Sequence, residues 1–314
     1  MHLLLIGCTG LVGRGLIPML QAAGHRLTVV SRRPSPDSLR TDAGTDLAWI
    51  QADPAAASSW APSTPLQHAL AACDGVVNLA GEPIAEQRWT AQHLQLLEAS
   101  RLETTRHLVE AMVSLDRPPS VLVNASAVGY YGTSSDGRFD ESSPAGSDFL
   151  AGLCQQWEQA AEAKPGATRL VVVRIGIVLS ADGGALAKML PIFRAGFGGP
   201  IGSGRQWMSW IERGDLCRII QSALETDSWS GVINAVAPEP VSMGVFASSL
   251  GRCLGRPSLL PVPGPMLQLL LGDGAKVVLE GQHVNPGRLQ TLGFSFRCPN
   301  LPAALDVATS SSSR

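Results

Sequence analysis

Length, composition and charge exclude several classes of protein before any motif is considered. The chain has 314 residues, of which 45% are hydrophobic and 16% charged, and this balance is typical of a globular chain rather than a disordered one. The formal net charge of -2 gives no positive field that would hold nucleic acid or an anionic membrane surface. We therefore expect a small-molecule partner, and neither nucleic acid nor a membrane.

The six cysteines are scattered, without the close spacing of a disulfide framework, and the six histidines show no metal-ligand spacing. These patterns predict reduced thiols and no metal site. The apolar start of the chain meets Gly7 too early for a signal peptide, and no run of about 20 apolar residues could cross a bilayer. We expect a cytoplasmic protein, and a homodimer is one assembly that the sequence permits.

The first thirty residues predict a strand, a tight turn, a helix and a second strand. Residues 3–6 are apolar and are followed by Gly7, a helical pattern runs from Leu11 to Leu20 and stops at Gly24, and residues 27–30 form the next strand. Further strands are predicted at 76–79, 121–124 and 170–174, and helices at 91–113, 149–163, 215–226 and 245–254.

This alternation of short apolar strands and helices is typical of a doubly wound α/β fold with a parallel sheet, the Rossmann fold. We expect residues 1–178 to form most of a dinucleotide-binding domain. Residues 179–307, which are rich in glycine and proline, should form mainly a small C-terminal substrate lobe with some return to the sheet. The serine-rich residues 308–314 are expected to be disordered.

A glycine motif lies between the first strand and the first helix. Three glycines with GxxGxxG spacing would allow a tight turn, close approach of the backbone to a pyrophosphate, and close packing of helix on strand. An ordinary glycine turn is the alternative. The predicted cofactor contacts in this loop are Gly7, Thr9, Gly10, Leu11, Val12 and Gly13.

The end of the second strand indicates which dinucleotide would bind. Enzymes that use NAD usually place a carboxylate there for the ribose 2′-hydroxyl, whereas enzymes that use NADP place arginine there for the 2′-phosphate. This chain has Ser31, Arg32 and Arg33 at that point. The sequence therefore predicts NADP(H), with a merely solvated arginine loop as the alternative.

Several motifs resemble those of a known family. The glycine loop, the turn 78–81 and the segment SAVGYYG at 126–132 resemble the extended short-chain dehydrogenases/reductases, which include sugar-nucleotide epimerases and dehydratases. NLAGEPI at 78–84, VRIGIVLS at 173–180, GSGRQWMSWI at 202–211 and the segment 280–297 resemble an atypical subgroup, the "epimerase family proteins", some of which are labelled cell-division inhibitors. The resemblance implies the fold, the cofactor class and a substrate lobe, but no established reaction.

In open α/β sheets the ligand lies at the carboxyl ends of the strands. The segments 78–81 and 126–131 and the loop after Arg174 should reach this edge and line one cleft. Predicted cofactor contacts in these segments are Leu79, Ala80, Gly81, Ala125 and Ser126.

The chain departs from the superfamily at its acid–base pair. That resemblance implies a catalytic tyrosine with a lysine four residues later, but no YxxxK occurs here, and the matching positions fall near Leu150 and Cys154. The candidates for a substitute proton donor are Tyr130, Tyr131, Ser126 and Glu82. If residues 130 and 131 are extended, at most one tyrosine faces the cofactor.

Four further residues are candidates for contact with a substrate. Glu82, Arg88 and Trp89 follow the turn 78–81, although they could equally form a plain helix start. Trp207 could form a wall of the substrate site, although packing within the lobe is the simpler interpretation. Asp215 is expected to cap the helix that follows it.

Two functions remain open at this level. The first is an NADPH-dependent oxidoreductase or nucleoside-sugar epimerase with a non-standard acid or base. The second is a non-catalytic NADPH-binding protein that senses cofactor state or regulates a partner. The loss of the tyrosine and lysine favours this second function. The glycine loop, the arginine pair and the full substrate lobe favour the first.

Overall fold

The computed structural model describes residues 1–34 and 47–310. Its centre is a seven-stranded sheet with the order β3-β2-β1-β4-β5-β7-β11, and every neighbouring pair of strands is parallel. The strands are β1 His2–Ile6, β2 Arg26–Ser31, β3 Leu47–Gln51, β4 Gly75–Asn78, β5 Val121–Ala127, β6 Arg138–Phe139, β7 Arg169–Ile175, β8 Ile177–Leu179, β9 Trp207–Met208, β10 Trp210–Glu212, β11 Gly231–Ala235, β12 Val241–Ser242 and β13 His283–Val284. The predicted doubly wound fold is confirmed, and its strand order reverses between β1 and β4.

Helices cover both faces of the sheet because alternate side chains of each strand point to opposite faces. In β1, Leu3 and Leu5 pack beneath the first and sixth helices, whereas Leu4 and Ile6 pack beneath the second and third. The helices are α1 Leu11–Ala22, α2 Pro65–Ala72, α3 Ala91–Val113, α4 Phe149–Glu162, α5 Gly184–Arg194, α6 Arg213–Glu225, α7 Met243–Cys253, α8 Gly264–Leu271, α9 Lys276–Leu279, α10 Gly287–Thr291 and α11 Leu301–Ser310.

The start of α6 corrects one prediction. Asp215 is not the N-cap, because the helix begins two residues earlier and the side chain of Glu212 accepts a hydrogen bond from the backbone nitrogen of Asp215. The buried Asp215 carboxylate instead accepts from the backbone nitrogens of Arg297 and Cys298, at 3.0 and 2.9 Å. It therefore holds the C-terminal segment against the helix.

The C-terminal part of the chain combines a return to the sheet with a separate small core. Strand β11 forms the edge of the main sheet beside β7. Helices α5, α7 and α11 pack together around Trp210 and Phe246. Helix α11 runs through Ser310 and buries Ala308, so residues 308–310 are helical rather than disordered, because the apolar side of this helix belongs to the small core. Residues 311–314 of the predicted tail lie outside the described part of the chain.

No helix in the described ranges is both long and apolar enough to cross a membrane.

Candidate cofactor and active site

The three glycines of the glycine loop do different work. Gly7 has a positive φ of 73°, and a β-carbon there would overlap the backbone of Ala80, the first residue of the neighbouring turn after Leu79. A β-carbon on Gly13 would overlap the carbonyl of Cys8. A β-carbon on Gly10 would meet nothing within 4 Å. The protein's own packing therefore requires Gly7 and Gly13, while Gly10 faces open space.

Gly10 is also the N-cap of α1, and the first turn of this helix contains no acidic residue. The first backbone N–H groups of a helix lack partners within the helix, and the helix dipole favours negative charge at this end. The geometry thus fits a pyrophosphate at Gly10, Leu11 and Val12.

The loop after β2 holds its arginines in place through its backbone. The Ser31 hydroxyl accepts from the backbone nitrogen of Arg33 at 3.0 Å. The carbonyl oxygens of Arg32 and Arg33 accept from the side chains of Gln51 and Trp49 in β3. These bonds use only main-chain atoms of the arginines, so they leave the guanidinium groups unengaged, and the Arg32 side chain is 63% exposed.

The buried side-chain amide of Asn78, the last residue of β4, holds the turn that follows this strand. The Asn78 side chain donates to Asn124 in β5 at 2.7 Å and to Thr105 in α3 at 2.9 Å, while its oxygen accepts from the Ala80 nitrogen. Thr105 also accepts from the indole nitrogen of Trp157 in α4. This network joins two strands and two helices, and it sets where Leu79, Ala80 and Gly81 lie relative to Gly7.

Glu82 lies at the cofactor end of this turn. Its carboxylate is 3.8 Å from the guanidinium of Arg32. Its backbone nitrogen donates to the Ser100 hydroxyl at 3.0 Å, and its carbonyl accepts from Arg101 at 2.9 Å. Arg101 is buried, and burial lowers the pKa of its guanidinium. The predicted substrate residue thus contacts the predicted 2′-phosphate loop.

A buried ion pair lies at the carboxyl end of β5. Arg174 in β7 donates to both carboxylate oxygens of Glu158 in α4, from Nε and Nη2 at 2.8 Å each. The hydroxyl of Ser126 donates to the same carboxylate at 2.6 Å. Burial alone would lower the pKa of Arg174, but the bonds and charge of Glu158 outweigh burial and raise it. Arg174 therefore carries a permanent positive charge at this edge of the sheet.

Both tyrosines contact Arg174. They lie in the 3-10 turn Val128–Tyr131 rather than in an extended segment, because the chain turns as it leaves β5. The extended conformation assumed for residues 130 and 131 is therefore wrong, and which of the two tyrosines faces the cofactor stays a prediction. Tyr131 is buried, accepts from Arg174 at 2.9 Å and donates to Asn234 in β11 at 2.7 Å. Burial raises the pKa of the Tyr131 phenol, although Arg174 opposes the shift. Tyr130 is half-buried, with the Arg174 guanidinium carbon 3.3 Å from its ring centre.

The positions where the superfamily has tyrosine and lysine hold inert side chains. Leu150 and Cys154 both face Gly129, at 3.5 and 4.0 Å from the position of a β-carbon there. Burial, with a smaller contribution from Glu158, raises the pKa of the Cys154 thiol to about 11. The thiol is therefore neutral near pH 7. One turn further along α4, Glu158 supplies the carboxylate of the ion pair.

The segments expected at one cleft do meet at the same edge of the sheet. Residues 78–81 lie against Gly7, and Ser126 is joined through Glu158 to Arg174. In the loop after β8, a β-carbon on Gly183 would lie 3.2 Å from both Leu11 and Arg14 of α1.

The sequence predictions missed Glu158, Arg174 and Asn234. Arg174 offered one signal, since it is a charged residue within a valine-rich strand that is buried on both faces.

The remaining candidate substrate residues lie between the sheet edge and the lobe. The indole of Trp89 donates to the Ile84 carbonyl at 2.9 Å and packs edge-on against Phe149. The exposed Arg88 lies beside Gly272. These residues form a contact between the 82–89 loop and the lobe, because the backbone nitrogen of Trp89 donates to the Leu271 carbonyl at 3.3 Å.

Trp207 lies at a separate part of the lobe. Its indole donates to the Ser135 carbonyl at 2.8 Å and meets the His283 ring edge-on at 4.7 Å. It lines a cavity of about 630 Å³ whose other walls include Arg205, Gln206 and Glu280, and a neighbouring one of about 180 Å³. A volume of this order is suitable for part of a small-molecule ligand.

One group of potential metal ligands has a structural explanation. Glu212, Asp215 and Cys298 bring ligand atoms within 4.8 Å of one another. The carboxylates already accept the helix-cap and backbone bonds described above, and Asp215 also pairs with Arg218 at 2.9 Å. Their arrangement is that of a junction between α6 and the C-terminal segment.

Comparison with known proteins identifies the family. The model of the NAD dependent epimerase/dehydratase family matches residues 3–235. The chain belongs to this family. Within the family, it is 43% identical to the Arabidopsis thaliana "Epimerase family protein SDR39U1 homolog, chloroplastic", over 95% of this chain and 84% of the plant protein. A domain of unknown function, DUF1731, matches residues 262–308 in the lobe.

Two solved structures of the family extend the comparison. The human epimerase family protein SDR39U1, isoform 2, crystallised with NADPH, has a TM-score of 0.88 and 38% identity, and the match covers 99% of each chain. The nucleoside-diphosphate sugar epimerase from Corynebacterium glutamicum has a TM-score of 0.73 and 30% identity, over 98% of this chain and 58% of that one. The resemblance to epimerase family proteins is confirmed.

Proposed function

We propose that this protein binds NADP(H) and transfers hydride between the cofactor and a small-molecule substrate, with Tyr130 rather than a tyrosine–lysine pair exchanging the proton. The proposed substrate class is the nucleoside diphosphate sugars, as the name of the Corynebacterium relative suggests. When bound, the nicotinamide supplies the hydride chemistry.

The cofactor site is supported by the fit of the glycine loop. Gly10 has open space where a pyrophosphate would approach, and the first turn of α1 offers N–H groups to the phosphate charge. Arg32 and Arg33 follow β2, where a 2′-phosphate would lie. The human relative, 38% identical, was crystallised with NADPH.

The observation that carries the acid–base proposal is the stacking of Arg174 on Tyr130. A guanidinium 3.3 Å from the ring centre stabilises the negative charge that develops when the phenol gives up its proton. Tyr131 is less suited to proton transfer, since its hydroxyl both accepts from Arg174 and donates to Asn234. Ser126 is occupied as a donor to Glu158 and orients the carboxylate that holds Arg174.

The substrate is proposed to lie between this edge and the lobe. Arg88 and Trp89 lie where the 82–89 loop meets the lobe, and Arg88 supplies a charge suited to a diphosphate. Trp207, in a separate part of the lobe, lines the cavity of about 630 Å³. The six cysteines are all free, as in proteins of a reducing compartment such as the cytoplasm. A homodimer stays a prediction.

The test uses NADPH carrying deuterium at the transferable position of its nicotinamide. Wild-type protein is incubated with UDP-4-keto-glucose, whose ring carbonyl can accept hydride, and with a panel of carbonyl metabolites, and the products are analysed for deuterium by mass spectrometry. Transfer to a product is expected for the wild type. Tyr130→Phe should lower the rate at least about a hundredfold, the usual size of an acid–base contribution, while the Kd for NADPH stays within twofold.

A control variant and a contradicting outcome complete the design. Leu150→Ala changes a side chain in the position of the missing tyrosine without removing any group that could exchange a proton, so it should keep most of the wild-type rate. Equal transfer by wild type and Tyr130→Phe would remove Tyr130 from the mechanism.

A second candidate function rests on the inert pair at Leu150 and Cys154. With a neutral thiol and no lysine at these positions, the protein could bind NADPH without catalysis and report cofactor state to a partner. Tight NADPH binding with no deuterium transfer to any member of the panel would favour this function.

A further inference from the structure

The adenosine end of the proposed cofactor site contains a carboxylate as well as arginines. Glu82 places its carboxylate 3.8 Å from the Arg32 guanidinium, and the Glu82 side chain is only 23% exposed. The two residues come from different strand ends, Arg32 after β2 and Glu82 after β4. Their pairing therefore spans the mouth of the region where the 2′-phosphate of NADP(H) would bind.

The position of Glu82 is fixed by its backbone. Its nitrogen donates to Ser100 and its carbonyl accepts from Arg101, both on α3. Arg101 is itself buried, and a β-carbon on Gly81 would come within 3.0 Å of its guanidinium. Because neither backbone bond involves the carboxylate, replacing that carboxylate should leave the turn in place.

We propose that Glu82 is a second determinant of cofactor selectivity. Its carboxylate competes with the 2′-phosphate of NADP(H) for Arg32, and this competition reduces the protein's preference for NADP(H) over NAD(H). A phosphate monoester near neutral pH carries between one and two negative charges. It must displace or share Arg32 with Glu82, and it approaches a like charge. The ribose 2′-hydroxyl of NAD(H) has no charge and meets neither obstacle.

This inference rests on the proposed cofactor site. It predicts that removing the charge of Glu82 tightens NADPH binding, whereas removing an arginine weakens it. Glu82→Gln keeps the size of the side chain and removes its charge. The ratio of the Kd for NADH to the Kd for NADPH should rise at least about fivefold, mainly through tighter NADPH binding. In Arg32→Gln, the further change Glu82→Gln should raise this ratio by a smaller factor than it does in the wild type, because competition for Arg32 is gone and only the like-charge repulsion is relieved.

The measurement is titration calorimetry of the full chain with NADPH and with NADH. Glu86→Gln is the matched control: it makes the same charge change four residues further along the same loop, at an exposed residue without an ion pair among the described residues. The gain in Glu82→Gln should shrink as salt rises from roughly 0.05 to 0.5 M, since exposed charges are screened. A merely structural role of Glu82 would not respond to salt in this way.

The outcomes separate this inference from the proposed function. If Arg32→Ala with Arg33→Ala leaves NADPH affinity unchanged, the cofactor site itself is wrong. If the arginine variants weaken NADPH binding but Glu82→Gln leaves the ratio unchanged or lowers it, only the role of Glu82 is overturned. If Glu82→Gln raises the Kd ratio as much in the Arg32→Gln background as in the wild type, competition for Arg32 is likewise contradicted.

Discussion

The cofactor half of the candidate site and its acid–base half are built in different ways. The cofactor half consists of short consecutive stretches, the glycine loop, the Arg32–Arg33 loop and the turn 78–81, and it works mainly through backbone geometry. The acid–base half is an assembly of side chains that are far apart in the chain, since Ser126 binds Glu158 and Tyr131 binds Asn234, 32 and 103 residues away. A local motif can describe the first half but not the second.

The largest expected effect concerns two glycines of the same loop. Gly13→Ala places a β-carbon into the Cys8 carbonyl and should cost at least about 4 kcal/mol of unfolding free energy, measured by urea denaturation. Gly10→Val meets open space and should cost only about 1 kcal/mol, but it should abolish NADPH binding by occupying the place of the pyrophosphate. A stable Gly10→Val that binds NADPH normally would show that this loop is not the phosphate site.

The second prediction addresses the acid–base half. Glu158→Gln leaves the buried Arg174 without a charged partner and should lower the free energy of unfolding by about 3–5 kcal/mol. Replacing both residues by methionine should recover at least half of this loss, because neither charge is then buried alone. A loss below about 1 kcal/mol for the single change would show that the ion pair contributes little to stability.

The difference between the halves also explains what could be predicted from the sequence. The fold followed from apolar strands and helix patterns, and the helix at 91–113 was predicted with its observed bounds. The glycine loop could be found because its three glycines lie within seven residues. Glu158 was missed because a single carboxylate in a helix is usually exposed, whereas this one lies on the buried face of α4 with Cys154 and Trp157 and pairs with Arg174 from another strand. Helix α11 was not predicted because serine-rich residues follow its apolar positions in the sequence, and those apolar positions are buried only by the core of the lobe.

The third prediction returns to the cofactor half. Arg32→Ala with Arg33→Ala should weaken NADPH binding at least tenfold, the equivalent of about 1.5–3 kcal/mol for lost charge-assisted contacts, while NADH binding stays nearly unchanged. Calorimetry with both cofactors checks this. An equal loss for both, or a wild-type preference for NADH, would contradict the assignment of the 2′-phosphate site.

The smallest expected effect separates the two tyrosines. Tyr131→Phe removes bonds to Arg174 and Asn234 and should cost about 1–2 kcal/mol, whereas Tyr130→Phe should cost less than about 0.5 kcal/mol. Similar losses for the two would show that the buried hydroxyl of Tyr131 has no special role in stability.

The dependence of stability on alkaline pH tests the role of Tyr131 in a second way. Burial raises the folded-state pKa of Tyr131 above the ordinary value of about 10. The folded state therefore holds this proton more tightly than the unfolded state does. The stability it contributes is present below about pH 10 and is lost as pH rises through the folded pKa. The chain has two tyrosines. In the wild type, phenolate absorbance should therefore show one phenol that ionises only at high pH, and this late ionisation should be missing in Tyr131→Phe.

The most direct test of the central claim, that Tyr130 exchanges the proton beside a bound NADP(H), is a crystal structure of the NADPH complex. The account predicts the pyrophosphate at Gly10, the 2′-phosphate at Arg32 and Arg33, and the Tyr130 hydroxyl facing the reactive side of the nicotinamide, within roughly 3 Å or one water of a substrate's reacting oxygen. A complex in which the Tyr130 hydroxyl turns to bulk solvent, away from the nicotinamide, would contradict the claim.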